Sequence, residues 1–282
     1  MPFDELLANP VFWQAFAAVG VVALACSLLS VLVVARRMAF IGQGISHAGF
    51  GGYALAVYLG LAGGLAEQAI VVAFCLATAW AIGGLSRRRA LEIDTAIGIL
   101  LVAGMALGVL LLNLRPTRTE PWEARLFGQP FFISPLQLRL AVALSLAVLA
   151  VGAALFKELV FFAFDEPVSR VFGVPSDAMH YLSLSMLALT VVVGMQLVGF
   201  ILVSALLVIP GAAAMMLSRR LALVLALSAA IGVVGSLGGL AFAGWQGELP
   251  PGACIVGWLF AIFLACCGVA ALAARPRRHA LT

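Results

Sequence analysis

With 282 residues, of which 64% are hydrophobic and only 10% charged, the chain is far more apolar than a soluble domain, where about half the residues are apolar and a quarter charged. That composition excludes a soluble globular enzyme and points to an all-α, polytopic membrane protein. The net charge of +4 does not signal nucleic acid, because the arginines form short clusters between apolar runs and no continuous basic face.

The N-terminus carries Asp4 and Glu5 and no basic residue, so it lacks the positive start of a cleaved signal peptide, and the first span is expected to stay in the mature protein. The apolar runs separate into about nine spans (eight to ten) of roughly 20 residues each. They fall near Val11 to Val34, Met38 to Gly60, Ala66 to Leu85, Asp94 to Leu114, Leu138 to Ala163, His180 to Gln196, Val198 to Leu217, Leu221 to Ala243 and Cys254 to Ala274. The sixth and seventh follow each other with almost no polar turn. No internal repeat or low-complexity linker divides the chain, which reads as one transmembrane domain over 1–282.

Basic residues set the expected orientation. If Arg36 and Arg37 are cytoplasmic, alternation also places Arg87, Arg88, Arg89, Lys157, Arg170, Arg219, Arg220, Arg275, Arg277 and Arg278 inside, leaving Arg115, Arg118, Arg125 and Arg139 outside. Twelve against four satisfies the positive-inside rule, with the N-terminus outside and the C-terminus in the cytoplasm.

The second span carries the polar pair Gln43 and His47, one turn apart on one helical face, the most deeply placed strongly polar side chains of the chain. Such groups are expensive in lipid and mark pathways. Beside them Gly44, Ala48 and Gly52 recur at four-residue spacing, a strip of small residues that permits close helix packing. A neutral imidazole with an oxygen donor one turn away makes a transient half-site for a divalent metal, and a histidine in a bundle serves equally as interhelical hydrogen-bond glue. Asp94, near the inner end of the fourth span, is a second candidate on the metal path; its alternative role is to cap a helix N-terminus.

Two connections exceed turns. The outer segment Arg115 to Gln137 holds Trp122, Phe127, Phe131 and Phe132 among prolines, which fits an amphipathic or re-entrant piece at the interface. In the inner segment Phe164 to Met179, Asp165 and Glu166 before Pro167 make a helix start and Gly173 with Pro175 a stop, predicting a helix of about two turns across the cytoplasmic face. It is either a simple connector or a docking element.

Other chemistry is excluded by what is missing. The one lysine, Lys157, lies between Phe156 and Glu158, so no phosphate-binding loop exists and the chain is not itself an ATPase. Cys26, Cys75, Cys254, Cys266 and Cys267 sit in apolar runs without CxxC spacing and read as core residues. No nucleophile is paired with a base, so the chain is not read as an enzyme. His180 and His279 are expected at solvated positions near the inner interface.

The string RRMAFIGQGISHAGFGG resembles the segment RRMxxxGDxxSHAxxxG of the ABC-3 family of metal-ion permeases, the membrane subunits of zinc, manganese and iron ABC importers. The likeness continues through EIDTAIGILLVAGMALG, FDEPVSRVFGVPSDAMHYLSLSMLALTVVV, VGFILVSALLVIPGAAAMML and LPPGACIVGWLF, in collinear order over nearly the whole chain. It implies a type II importer-like permease bundle in the cell (inner or plasma) membrane. It further implies a second permease subunit (a second copy or a paralogue), an ABC ATPase subunit that uses the ATP, and an extracytoplasmic metal-binding protein that delivers the cargo. No cofactor is expected to be bound stably, the divalent metal being transported. His47 matches the family histidine and would hold the metal transiently, while Gln43 stands where the family has an aspartate. The amide removes a full negative charge yet keeps an oxygen donor, so a weaker or softer site is expected. Asp165, Glu166, Arg170 and Gly173 fall in the segment resembling the coupling helix, which docks on the ATPase. A permease for a chelated metal, a siderophore or a vitamin B12-like substrate, or a proton-coupled secondary transporter, remain alternatives, the last weakened by the lack of carboxylates in mid-membrane.

Overall fold

The computed structural model describes residues 10–87, 91–114, 135–247 and 249–274. Outside them lie Asp4, Glu5, Arg88, Arg89, Arg275, Arg277, Arg278 and His279, and, in the outer segment, Arg115, Arg118, Trp122, Arg125, Phe127, Phe131 and Phe132. Twelve helices and no strand are present among the described residues: α1 (Pro10–Ala35), α2 (Ile41–Tyr58), α3 (Gly64–Arg87), α4 (Ile93–Asn113), α5 (Pro135–Ala154), α6 (Phe156–Phe164), α7 (Glu166–Val171), α8 (Ser176–Val198), α9 (Phe200–Leu206), α10 (Ile209–Leu217), α11 (Leu221–Gln246) and α12 (Pro251–Ala274).

Seven helical stretches among the described residues, α9 and α10 together forming one of them, are long and apolar enough to cross a membrane, and the α5–α6 pair brings them to eight. The second span, α2, falls outside this set because Gln43, Ser46, His47 and its glycines lower its hydropathy. It is walled by α3, α4, α8 and α9, so it does not need an apolar exterior. With α2 the expected nine spans are accounted for.

Small residues bring α2 close to its neighbours. The pairing of α2 with α4 is the most extensive in the bundle. Gly44 lies against Ile97, and a Cβ at Gly104 would stand 2.9 Å from the Ala48 Cα, so α4 meets the strip nearly backbone to backbone there. Gly52 packs instead on Val71 and Phe74 of α3. On the other side of the bundle buried serines tie α1 to α11: Ser228 donates to the Ser27 carbonyl at 2.6 Å, and the Ser30 and Ser228 hydroxyls lie 3.1 Å apart.

Two spans depart from straight helices. Leu138 to Ala163, expected as one span, bends by 76° between α5 and α6. After the bend α6 leaves Lys157 exposed and buries Leu159, Phe162 and Ala163 against the bundle. The unpunctuated junction of the sixth and seventh spans is resolved by Gly199, at φ 88° and ψ 162°, a region essentially reserved for glycine.

Candidate functional site

On α2 almost every side chain is buried, yet Gln43 is exposed and His47 half-buried, so the polar pair lies on the open side of the helix's first two turns, a gap among its packing neighbours. Phe200, the first residue after the Gly199 break, fills part of that gap, its ring stacked on the His47 imidazole at 6.3 Å and 30°. The end of α8 is therefore beside the histidine, and helix ends leave their last carbonyls without intrahelical donors. Met195, in that last turn of α8, packs on Gly49 of α2 together with Cys75. An imidazole, an amide and a helix break thus occur together in the bundle.

The third candidate stands apart. Asp94 is exposed in the first turn of α4, three residues before the Ile97 that contacts Gly44. Among the described residues no group of three or more His, Cys, Asp or Glu is arranged to hold a metal ion. His47 and Gln43 offer two donors on one helix, which suits passage rather than retention.

The second feature lies around α7. Asp165 caps this short helix, accepting the Val168 N–H at 3.1 Å; Pro167 occupies the first turn, and Gly173, at φ 82°, ends the helix. Glu166 turns toward the bundle. Its carboxylate accepts from Arg36, just past α1, at 2.9 Å, from Arg87 at the end of α3 at 3.0 Å, and from Arg170 at 3.1 Å. Arg170 and Arg87 also pair with Asp177 in the first turn of α8, Arg170 at 3.3 Å. Arg36 stacks on the Phe162 ring at 4.2 Å. Burial alone would raise the Glu166 carboxyl, but the hydrogen bond and charge of Arg36, with those of Arg170 and Arg87, outweigh it and hold the group below its ordinary value. The helix is thereby clamped to three spans at once.

Sequence reasoning reads Arg36 and Arg87 only as topology signals and misses them as partners of Glu166. It also passes over Val171 and Phe172, 85% and 75% exposed, which project from the end of α7. An apolar pair between Arg170 and Gly173 in an otherwise polar connector is the signal that marks them. His180, expected to be solvated, is instead buried, packed against Phe162 of α6, Gly83 of α3 and its neighbour Tyr181.

A family model, the ABC 3 transport family, matches residues 8–270. The chain belongs to the ABC 3 transport family. As a member it is a multi-pass transport subunit of an ABC system, not an enzyme in its own right. It is 34% identical over 241 residues to the manganese transport system membrane protein MntC of Halalkalibacterium halodurans, covering 85% of this chain and 81% of the relative. It is 33% identical over 232 residues to the chelated iron transport system membrane protein YfeD of Yersinia pestis, covering 82% and 76%. Among solved structures, PsaBC from Streptococcus pneumoniae in complex with Fab superposes with a TM-score of 0.80 at 29% identity, covering 93% of each chain.

Proposed function

We propose that this ABC 3 permease carries a divalent first-row metal ion into the cell, driven by a separate ATPase. His47 is the transient ligand, Gln43 the neighbouring oxygen donor and Asp94 a charged group near one end of the path. The observation that carries this reading is the half-buried imidazole on the otherwise enclosed α2, beside the Gly199 break. Manganese and iron are the favoured cargo class, since relatives covering most of the chain are named for manganese and chelated iron transport. Two permeases, two ATPase subunits and an external metal-binding protein make up the working assembly, with the N-terminus outside and α7 on the cytoplasmic side.

In this reading Val171 and Phe172 enter a groove of the ATPase, while Glu166 anchors α7 to the permease. Closure of the ATPase pair pushes α7, and the ion pairs pass that push to α1, α3 and α8. Both α3 and α8 pack on α2, through Phe74 and Cys75 on one side and Met195 on the other, so the displacement reaches the helix that carries His47. Packed helices move between discrete arrangements, which gives alternating access.

A chelated metal is the second reading, favoured by the neutral Gln43 in place of a carboxylate: a site with less negative charge pulls less on a bare dication. ATP-dependent uptake into vesicles holding the permease, its ATPase and its binding protein, tested with zinc, manganese, ferrous iron and a ferric chelate, decides between them. Uptake of a free ion, strengthened in Gln43→Asp, supports the first reading. Uptake of the chelate alone supports the second, and uptake of neither removes both.

A further inference from the structure

The bend between α5 and α6 opens a cleft toward α10 and α11 that the transport reading does not use. Its deep part, about 230 Å³, is bounded by α1, α5, α6, α8 and α11, and every lining side chain is apolar, Leu28, Leu32, Val148, Leu149 and Leu225 among them. Phe156, Val160, Phe164 and Leu221 border both this part and a wider one that opens on the α7 face of the bundle. The wider part is lined by two cations, Lys157 of α6 and Arg219 of the α10–α11 turn, and by no acidic side chain. Neither cation has an ion-pair partner among the described residues, whereas Arg36, Arg87 and Arg170 a short distance along the same face are all paired. The rim residues Phe156 and Phe164 are exposed apolar rings, as expected of a surface facing lipid.

We propose that this cleft is a binding site for one anionic phospholipid of the leaflet on the α7 side. An acyl chain enters the apolar part and the phosphate headgroup sits between Lys157 and Arg219. The charge pattern selects this occupant: a purely apolar pocket continuous with an unneutralised pair of cations matches a molecule that is hydrocarbon at one end and anionic at the other. By holding α6 against the α10–α11 turn, the lipid would fix the piece of chain that leads into α7.

The test is native mass spectrometry of the purified full-length permease titrated with phosphatidylglycerol or phosphatidylcholine of the same acyl chains. Wild type retains phosphatidylglycerol at least tenfold better, and Lys157→Gln/Arg219→Gln, an exposed double change that leaves the packing alone, lowers that retention roughly tenfold or more, to the level of phosphatidylcholine. Gly152→Phe, which fills the apolar part and keeps both charges, weakens retention of both lipids. Equal retention of the two lipids by wild type, or undiminished phosphatidylglycerol binding in the double variant, overturns the proposal. So does efficient disulfide cross-linking between copies bearing Phe156→Cys in native membranes, since a second copy would then cover the cleft.

Discussion

Glu166 and His47 are the two side chains on which the proposed function turns, and their environments are opposite. Glu166 is held by three arginines, and its depressed carboxyl contributes stability that is present above its unfolded value and lost as pH falls through the lower, folded one. Glu166→Gln is therefore expected to raise hydrogen exchange in α7 several-fold at neutral pH, and the difference from wild type should shrink once the pH falls below the ordinary carboxyl value of 4.5 and vanish only below the lower, folded one. A difference that persisted in acid would mean that the ion pairs do not hold α7. His47, by contrast, has an aromatic neighbour and no charged partner within a metal-holding group, so its removal should cost transport without costing assembly. Of these two, the histidine was legible from the sequence as a polar residue in an apolar run. The three-fold pairing of Glu166 was not, because Arg36 and Arg87 are about 130 and 80 residues away and only the packing of α1 and α3 brings them together.

Element by element, the sequence reading recovers the spans, including the polar second one and the division between α8 and α9, and misses the bend within Leu138 to Ala163. Asp165, Pro167 and Gly173 mark α7 correctly because caps and stops act within a few residues. The α5–α6 bend goes unseen because hydropathy averages over a window and dilutes Lys157 among its apolar neighbours, so the whole stretch reads as one span. At the α8–α9 junction a single glycine does the work of a loop. Gly199→Ala should cost about 1–3 kcal/mol through strain at its backbone angles, read as a lowered Tm of the purified permease; an unchanged Tm would show that the break tolerates a side chain. Gly104→Leu should destabilise by a comparable or larger amount, since no room for a side chain exists against Ala48, and normal yield and Tm would contradict the close α2–α4 packing. At the tip of α7, Val171→Asp with Phe172→Asp should abolish co-purification of the ATPase while leaving the permease folded, because both side chains are largely exposed and the ring contact of Phe172 with Phe161, at 5.7 Å, lies at the surface.

At the scale of the whole molecule, the bundle places a polar helix at its centre and a clamped, apolar-tipped helix at its edge, with α3 and α8 touching both. Under the proposed function, that arrangement would give a mechanical path from the ATPase to the metal path without requiring either site to be rigid alone. The most direct test is ATP-dependent manganese accumulation in vesicles holding the permease, its ATPase and its binding protein, with wild type compared against His47→Ala at equal protein. Accumulation by wild type that falls at least tenfold in His47→Ala, with ATPase assembly unchanged, is the expected result. Undiminished accumulation by a well-assembled His47→Ala transporter would remove the histidine from the path and contradict the central claim.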